Sequence, residues 1–470
     1  MRTLFAALFF LSGCAFAGAA ESKKPNVIVF LSDDVGWAEY GFQGAKDIPT
    51  PNIDSIVKNG VRFTQGYVSG PYCSPTRAGL MTGRYQTRFG HEFNSVARQS
   101  GLSLKETTIA NRLKSLGYAT AAVGKWHLGE KPEYRPWNRG FDEFYGTLNN
   151  TPYYHPTNFV DSRVSKEIQK IIDNDFYTTD QYAQRAVQFI EAQKDKPYFL
   201  YLPFNAQHAP LQAPEKYLAR FPDIKDEKRR QFAAMMSAMD DAVGAVLEKV
   251  RQAGQEENTL IFFLSDNGGP TVQTTSNNKP LHGFKATTWE GGVRVPFAVQ
   301  WKGTIPAGKT YTDPIIQLDI LPTVIAAAGG KVDPDWKLDG VNLLPYLKGE
   351  IKTKPHETLY WRFGKQWAIR HGDNKLLVGR GGGADPELYQ LTDDIGELKN
   401  LAATQPDKVK ELQSLWDAWN AEQAPPSSPQ EQPAKAKAAG KGAGKGAGKG
   451  AGKGANPKGA QKGKKGKQAD

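Results

Sequence analysis

One short stretch, residues 69–84, combines a cysteine and an arginine with the residue types that begin a helix. Ser74 is a typical N-cap residue, and Pro75 is typical of the first helical position, where its missing N–H costs nothing. Cys73 would then lie at a helix N-terminus, where free N–H groups and the helix dipole stabilise negative charge. Arg77 follows one turn later and can point back towards the cysteine. The stretch is expected to form either an accessible reactive site or, as free cysteines often do, a buried structural turn.

Two polar pairs follow apolar runs that predict buried strands. Asp33 and Asp34 come directly after the first run, and Asp266 and Asn267 come after a later one. Turn chemistry alone accounts for either pair, because Asp and Asn are common turn residues. Two such pairs, each at the end of a core strand, favour a hard oxygen site for Ca²⁺ or Mg²⁺ built from three carboxylates and an amide.

Basic and imidazole side chains also follow predicted strands. Lys125 and His127 flank Trp126, and in an extended loop both would point the same way. A lysine can hold an anion there while the imidazole moves protons near neutral pH. His208 lies in a proline-bounded loop after another predicted strand, and Lys285 precedes a glycine-rich segment. The other histidines are three in loops that could reach the site, His91, His155 and His282, and two that are expected to be structural, His356 and His371.

Strands and helices alternate along most of the chain, which predicts an α/β fold with a large, mostly parallel central sheet flanked by helices. Ligands bind beyond the carboxyl ends of the strands in such sheets, so separated clusters can meet at one site. Residues 128–175 are rich in Gly, Pro and Asn and are predicted to be loop. The predicted strands cover residues 25–32, 61–68, 118–123, 197–202, 259–264 and 295–301, and the predicted helices cover 52–58, 106–116, 179–193, 225–253 and 317–328.

The pattern changes at about residue 346. Short apolar runs separated by turn residues predict a small antiparallel sheet, and a final helix is expected over residues 407–419. We therefore divide this part of the chain into a main domain, residues 22–345, and a C-terminal subdomain, residues 346–423. The short runs cover residues 357–361, 367–370, 375–378 and 387–391.

Residues 1–21 have the pattern of an export signal, with a positive start, an apolar core and small residues. The core is too short to span a bilayer and no later stretch is long enough, so no transmembrane helix is predicted. Residues 11–14 resemble a bacterial lipobox, which would make Cys14 a lipid-bearing N-terminus, whereas residues 15–19 fit ordinary cleavage. Either route predicts an exported protein that is periplasmic, extracellular or lipid-anchored at the cell envelope. In that compartment Cys73 has no disulfide partner.

Residues 424–470 are expected to form a disordered Gly-, Lys- and Ala-rich tail, because they contain almost nothing apolar to bury. The tail holds eleven lysines against Glu431 and Asp470, and so carries most of the net charge of +11. The rest of the chain is nearly neutral, and no nucleic-acid partner is expected. The tail is either a soluble spacer or a segment that contacts anionic polysaccharide or the cell envelope.

Taken together, the motifs resemble those of the type I, formylglycine-dependent sulfatases of the alkaline phosphatase superfamily. The pentapeptide that begins at Cys73 fits their Cys-x-Pro-x-Arg signature, and residues 117–127 fit their second signature. The two polar pairs, His208 and Lys285 fall at matching places in matching order. The likeness covers about residues 24–420 and implies that the main domain is a sulfatase catalytic domain.

The resemblance implies that a maturation enzyme converts Cys73 to formylglycine (3-oxoalanine), which acts as its hydrate. One hydrate oxygen would attack sulfur and form a covalent sulfate ester. A bound Ca²⁺, for which Mg²⁺ is the less favoured alternative, would polarise the sulfate and the attacking oxygen. The implied metal ligands are Asp33, Asp34, Cys73, Asp266 and Asn267.

The same resemblance assigns roles to the basic side chains. Arg77, Lys125 and Lys285 would stabilise charge, the first chiefly on the nucleophile. The two lysines and His208 would bind the sulfate group. His208 would protonate the departing alcohol, and His127 would take the proton of the second hydrate hydroxyl, which expels sulfate and restores the aldehyde.

Export and the polycationic tail favour a sulfated carbohydrate as the substrate. Thr151, Tyr154 and His155, in the loop that follows residues 140–142, are candidates for substrate contact. Two other functions stay open: a phosphonate monoester or phosphodiester hydrolase of the same superfamily, and a non-catalytic polyanion-binding protein in which Cys73 stays a thiol. Aromatic residues that could stack on sugar rings are Tyr134, Trp137, Tyr145, Tyr153, Tyr154 and Phe159.

Overall fold

The computed structural model describes residues 23–379 and 385–425. The predicted export signal and nearly all of the predicted tail lie outside these residues. Within the described residues, no helix is both long enough and apolar enough to cross a membrane.

Fifteen strands are present in the described part of the chain, and nine of them form the central sheet. The strands are β1 Asn26–Ser32, β2 Val61–Phe63, β3 Gly66–Tyr67, β4 Ala119–Lys125, β5 Glu143–Thr147, β6 Phe159–Asp161, β7 Tyr198–Pro203, β8 Thr259–Ser265, β9 Phe297–Gln300, β10 Lys309–Tyr311, β11 Ile315–Ile316, β12 Thr358–Phe363, β13 Gln366–His371, β14 Asn374–Val378 and β15 Glu387–Gln390.

The central sheet has the strand order β10-β2-β9-β8-β1-β7-β4-β5-β6. Its five middle strands, from β8 to β5, are parallel to one another. Antiparallel pairs join β9 to β8 and β2 on one side and β6 to β5 on the other. The sheet is therefore mostly parallel, as the sequence predicted.

Strand β1 shows why the sheet is covered on both faces. Successive side chains of a strand point to opposite faces, and every residue of β1 is buried. Val27, Val29 and Leu31 pack into one hydrophobic core, while Ile28 and Phe30 pack into the other. A continuous apolar run is typical of such a doubly covered strand.

Helices form the two outer layers and confirm the predicted α/β fold. Helices α2, α4 and α10 pack on one face of the sheet, and α1, α5 and α7 pack on the other. The helices are α1 Pro51–Lys58, α2 Cys73–Thr82, α3 Asn94–Gln99, α4 Ile109–Ser115, α5 Thr178–Ala192, α6 Glu215–Leu218, α7 Glu227–Gln252, α8 Thr271–Thr274, α9 Glu290–Val293, α10 Ile320–Ala327, α11 Leu344–Leu347 and α12 Pro406–Ala421.

Two segments differ from the prediction. Residues 61–68 form not one strand but β2 and β3, which belong to different sheets. Residues 128–175, predicted to be loop, contribute β5 and β6 to the central sheet. Gly146 of β5 has a φ of +155°, and a Cβ on it would lie 2.0 Å from the carbonyl oxygen of Gly124 in β4. One of the glycines that made this segment resemble a loop is therefore the residue that lets two neighbouring strands approach.

The C-terminal region forms the predicted antiparallel sheet, in the order β12-β13-β14-β15, with α12 packed on it. Trp361 in β12 donates its indole N–H to the carbonyl oxygen of Val68, at 2.7 Å. The guanidinium of Arg370 in β13 donates to the hydroxyl of Tyr67, at 2.6 Å. The small sheet therefore packs directly on the segment that leads from β3 into α2.

A buried ion network also joins this sheet to the main part of the molecule. The Lys375 ammonium in β14 lies 2.9 Å from a carboxylate oxygen of Glu290 and 2.9 Å from one of Glu397, and all three side chains are inaccessible to solvent. Burial alone would raise the pKa of Glu290, but the charges of Lys375 and Arg294 outweigh it and hold that pKa below its usual range. Burial raises the pKa of Glu397. One cation thus serves two buried carboxyl groups.

Lys375→Met should destabilise the protein, because it leaves two carboxyl groups buried without their shared cation. Removal of one partner from a buried ion pair costs about 3–5 kcal/mol, so the urea midpoint should fall clearly. Lys365→Met is the matched control, since Lys365 is exposed in the turn between β12 and β13. Equal midpoints for the two variants would show that the network contributes nothing to stability.

Candidate active site

The candidate site lies beyond the carboxyl ends of four adjacent parallel strands, β8, β1, β7 and β4. Ligand sites of parallel sheets lie at this edge, because the polar residues that follow the strands meet there. These strand ends supply Asp33 and Asp34 after β1, Asp266 and Asn267 after β8, His208 after β7, and Lys125 at the end of β4.

Four buried side chains form an acidic cluster at the centre of this edge. Asp33, Asp34, Cys73 and Asp266 each place one potential ligand atom within 4.8 Å of the others. The Cys73 Sγ atom lies 3.4 Å from Asp33 Oδ1 and 3.9 Å from Asp34 Oδ1. Carboxylates held this close in a dry interior repel one another, so the cluster requires nearby positive charge.

Asn267 supplies a further oxygen beside the acidic cluster. Its Nδ2 atom donates to Asp34 Oδ1 at 2.8 Å and to the carbonyl oxygen of Gly268 at 2.9 Å. Its Oδ1 atom is buried and has no hydrogen-bond partner among the described residues. Leaving a buried oxygen unpaired is costly, whereas Ca²⁺ and Mg²⁺ bind amide and carboxylate oxygens. The residues present therefore fit the divalent metal site predicted from the sequence.

Arg77 connects the helix of Cys73 to the strand ends. Its Nη2 atom lies 2.8 Å from Asp266 Oδ2 and 3.3 Å from Asp33 Oδ2, and its Nη1 atom donates to the carbonyl oxygen of Lys125 at 2.8 Å. The side chain is fully buried. This guanidinium therefore holds α2 against β1, β4 and β8 at once.

Two lysines complete the charge balance. The ammonium of Lys125 is bonded to Asp33 Oδ2, and that of Lys285 lies 2.6 Å from Asp34 Oδ1. The Lys285 Nζ atom also lies 5.0 Å from the ring centroid of Tyr72, a cation–π distance. With the guanidinium of α2, three buried cations face three buried carboxylates.

The pKa values reflect this crowding. Burial alone would raise the pKa of Asp33, but the charges of Lys125 and Arg77 outweigh it and hold that pKa well below its usual range. Burial, reinforced by the charge of Asp33, raises the pKa of Asp266. Burial also raises the pKa of the Cys73 thiol, and the charges of Asp266 and Asp33 raise it further. An unmodified thiol at this position is therefore protonated at neutral pH.

His208 is arranged to carry a proton at one defined atom. Its Nδ1 atom lies 2.6 Å from the carbonyl oxygen of Ala209 and donates to it. In the neutral ring this leaves the lone pair on Nε2, which lies 3.3 Å from Asn150 Nδ2 and 3.8 Å from Asp34 Oδ2. Burial lowers the pKa of His208. Its Nε2 atom can therefore take up and release a proton at the site.

His127 differs from its prediction in backbone geometry. The residue has a φ of +57° and does not continue the extended strand, so the expected alternation with Lys125 does not apply. Its backbone N–H donates to the carbonyl oxygen of Leu148 at 3.0 Å. Both ring nitrogens are buried without a partner among the described residues, and burial lowers the pKa of the ring. The buried ring therefore favours its neutral form, and no described residue occupies its nitrogen lone pair.

The start of α2 also differs from the prediction. The helix begins at Cys73, with Tyr72 rather than Ser74 as N-cap. The Ser74 hydroxyl donates to the carbonyl oxygen of His127 at 2.7 Å and lies 2.6 Å from Nε2 of His91. Burial lowers the pKa of His91 to about 3. Cys73 is completely buried rather than accessible, because α2 packs into the core along its whole length.

A pocket of about 880 Å³ opens above the buried cluster. His208 and Lys285, which the resemblance implies bind the sulfate group, line it. Tyr72, Arg98 and Asn150 also line it, and none of them was predicted from the sequence as a site residue. Asn150 follows β5, so a correct prediction of that parallel strand would have placed it at the functional edge.

None of the six aromatic residues predicted to stack on sugar rings lines this pocket. The Tyr153 ring is buried, and its hydroxyl donates to the carbonyl oxygen of Asn205 at 2.6 Å. Phe159 is buried as well, and Tyr154 packs on Tyr177 with ring centroids 5.4 Å apart. Tyr153 and Phe159 lie in the core because this part of the segment folds back on the residues that precede α5. The predicted substrate contacts Thr151, Tyr154 and His155 do not line the pocket either.

The remaining histidines lie in other contacts. His282 stacks on Trp289 with ring centroids 4.6 Å apart. His356 Nε2 lies 2.7 Å from Asp319 Oδ1. The Nδ1 atom of His371 lies 2.7 Å from the Thr358 hydroxyl of β12, within the small sheet. The last two have the structural environment that the sequence suggested.

Comparison with known proteins identifies the family. The family model described as Sulfatase matches residues 25–330. N-acetylgalactosamine-6-sulfatase of Mus musculus is 32% identical over 413 residues, which cover 82% of this chain and 78% of that protein. Arylsulfatase G of Rattus norvegicus is 31% identical over 457 residues, which cover 84% of this chain and 85% of that protein. The crystal structure of Ps i-CgsB in complex with k-i-k-neocarrahexaose matches with a TM-score of 0.79 and 34% identity. The match covers 86% of this chain and 94% of that chain. The chain therefore belongs to the sulfatase family, within the alkaline phosphatase superfamily.

Proposed function

We propose that this sulfatase removes sulfate from a sulfated carbohydrate, using a formylglycine made from Cys73 and a bound Ca²⁺. The observation that carries the proposal is the position of Cys73, whose Sγ atom lies 3.4 Å from Asp33 in the acidic cluster. His208 and Lys285 lie at the same centre and line the pocket above it. One centre thus combines a modifiable side chain, oxygen ligands, buried cations and a proton carrier.

The environment of Cys73 favours conversion over direct use of the thiol. Burial raises the pKa of the thiol, and only the thiolate is an effective nucleophile. Conversion to formylglycine supplies a hydrated aldehyde, with one hydroxyl to attack sulfur and a second to release the product. A maturation enzyme is therefore a required partner under this proposal.

The buried cations bind and stabilise the sulfate group. Lys125 and Lys285 present ammonium groups at the acidic cluster and would donate hydrogen bonds to sulfate oxygens. Arg77, oriented by Asp266, keeps its charge next to the nucleophilic position. Fixed charges in a buried site stabilise developing negative charge without reorganisation.

The two histidines divide the proton transfers. His208 first takes up a proton on Nε2 and then gives it to the oxygen of the departing alcohol, while its Nδ1 proton stays bonded to a backbone carbonyl. His127 accepts the proton of the second hydroxyl at the ring nitrogen that carries the lone pair, since neither nitrogen has a partner among the described residues. The acid and base therefore act at separate atoms.

The metal would be held by Asp33, Asp34, Asp266 and Asn267 beside the modified Cys73. All of these supply oxygen, the ligand type that Ca²⁺ prefers in flexible sites. The ion supplies positive charge that polarises the sulfate group.

The pocket supports a carbohydrate substrate. Its volume of about 880 Å³ lies within the range of roughly 300–1,000 Å³ that is typical of pockets for drug-sized ligands. One relative is named N-acetylgalactosamine-6-sulfatase, and one structural neighbour holds neocarrahexaose. We extend this substrate class to the present protein.

We also propose that the protein acts outside the cytoplasm. The support is the export pattern of residues 1–21, with lipid anchoring at Cys14 and ordinary cleavage as the two routes. The lysine-rich residues 424–470 would contact anionic polysaccharide or the cell envelope.

Cys73→Ala should reduce hydrolysis of 4-nitrophenyl sulfate to the uncatalysed rate while leaving the unfolding midpoint close to that of the unsubstituted protein. Peptide mass analysis should show an aldehyde at Cys73 after expression with a maturation enzyme. Ser115→Ala, at the exposed end of α4, is the control and should keep full activity. Full activity from a chain whose Cys73 is an unmodified thiol would contradict the proposal.

Ca²⁺ should raise the thermal midpoint of metal-depleted protein, because a ligand that binds only the folded state stabilises it by about 2.7 kcal/mol at a hundredfold excess over Kd. Mg²⁺ should give a smaller rise. Asn267→Ala should weaken Ca²⁺ binding in calorimetry by about tenfold or more, equivalent to about 1.4 kcal/mol. Asn258→Ala, at the opposite end of β8, is the control. Unchanged affinity in Asn267→Ala would remove that residue from the metal site.

The superfamily alternatives are separated by substrate. The matured protein should show a kcat/KM at least about tenfold higher on 4-nitrophenyl sulfate than on bis(4-nitrophenyl) phosphate, about 1.4 kcal/mol in transition-state stabilisation. The reverse order would favour the phosphodiester hydrolase. Binding of sulfated polysaccharide without turnover of either ester, in protein with a confirmed aldehyde, would favour the polyanion-binding function.

A further inference from the structure

The pocket contains a cation that the proposed chemistry does not use. Arg98 lies in α3 and is exposed. It makes no ion pair or hydrogen bond with any residue that the structure describes. Exposed arginines elsewhere in the molecule, such as Arg220 and Arg251, are paired with carboxylates. An unpaired guanidinium at the wall of a substrate pocket is available to a ligand.

Helix α3 is fixed at the pocket rather than free to move away. The side-chain oxygen of Asn94 accepts the backbone N–H of Ser74 at 3.0 Å, which ties the first turn of α3 to the start of α2. Phe93, just before the helix, packs on Phe363 with ring centroids 4.6 Å apart. Arg98 follows Asn94 by four residues, so the two share a helix face. That face therefore presents Arg98 at the mouth of the site.

The charge of the pocket lining is one-sided. Lys285 and Arg98 are permanent cations, and none of the described lining residues is acidic. Both cations lie near Tyr72: the Lys285 ammonium lies over its ring, and Arg98 lines the same pocket. Burial raises the pKa of Tyr72, and the charges of Lys285 and Arg98 oppose that rise without outweighing it. An anionic group that enters above Tyr72 meets no carboxylate among the described residues that line the pocket.

The side of the pocket formed by α8 and nearby residues presents both polar and apolar side chains. Thr271 and Gln273 alternate with Val272, whose side chain is 86% exposed, and Phe284 adds a further partly exposed apolar surface. Such a wall can contact both the hydroxyl groups and the apolar face of a sugar ring. The pocket therefore has room and lining for a sugar next to the one that loses sulfate.

We propose that Arg98 binds a second anionic group, a sulfate or carboxylate, on the sugar adjacent to the one that is desulfated. This inference rests on the proposed sulfatase function and narrows its substrate class to multiply anionic oligosaccharides. A guanidinium suits this task because its planar fork can donate two parallel hydrogen bonds to such a group. Since the side chain is exposed, the interaction weakens as salt screens it. Arg98 is a specificity residue and takes no part in bond cleavage.

The test compares three oligosaccharides that share the cleavable sulfate: one with no other charge, one with a sulfate on the neighbouring sugar, and one with a carboxylate there. The unsubstituted protein should prefer at least one doubly anionic substrate about tenfold in kcat/KM, mainly through KM. Arg98→Gln should lose this preference and keep its rate on 4-nitrophenyl sulfate, while Arg98→Lys should retain part of it. The substrate on which the preference appears identifies the anion. Arg251→Gln is the control.

A binding measurement keeps the test independent of turnover. Full-length Cys73→Ala and the double variant with Arg98→Gln are titrated with the same oligosaccharides in calorimetry. A loss of about tenfold in affinity for the doubly anionic sugar alone, reduced at high salt, supports the proposal. Equal losses for all three sugars, or no loss, would overturn it. Absence of sulfate-ester turnover in matured, Ca²⁺-loaded protein would instead overturn the proposed function.

Discussion

Three carboxylates buried at the ends of neighbouring parallel strands are the constraint on which the rest of the structure depends. An uncompensated buried charge costs several kcal/mol, so Asp33, Asp34 and Asp266 require cations from elsewhere in the chain. The charges come from three separate elements: Arg77 from α2, Lys125 from β4 and Lys285 from the segment before α9. The need for balance therefore fixes the positions of a helix, a strand end and a loop. A divalent ion added to three matched pairs leaves the centre positive, which suits an anionic sulfate ester.

The small C-terminal sheet supports this centre although it contributes none of its proposed metal ligands or proton carriers. Lys375 in β14 is bound to Glu290, which opens α9 five residues after Lys285. The same Glu290 accepts the hydroxyl of Tyr67, at the end of the strand that leads into α2. One buried network thus holds two of the three segments that bring cations to the acidic cluster, namely the segment of Lys285 and the one that leads into α2. The small sheet is separate from the central sheet in topology, but its contacts help to hold the site in place.

Much of the fold was accessible from local pattern. Long apolar runs such as β1 and β8 are buried on both faces, and no other environment accommodates them. The local predictions were wrong where a residue is needed for a contact with a part of the chain that is distant in sequence. The glycines of residues 128–175 contributed to the prediction of a loop, but one of them, Gly146, is needed where β5 meets Gly124 of β4. Ser74 had the chemistry of an N-cap, but His91 and the backbone of His127 take its hydroxyl.

By itself, the sequence determined the chemistry that the site can hold: the carboxylates, Lys125, His127 and His208 after predicted strands, and the lone cysteine of the main domain at a predicted helix N-terminus. This was possible because hydrophobic periodicity is local and the ends of parallel strands share one edge. Only the tertiary structure decided which groups meet and in what state. The free oxygen of Asn267, the proton position on His208 and the exposure of Arg98 depend on neighbours distant in sequence, and burial and pairing are properties of the packed chain rather than of any segment.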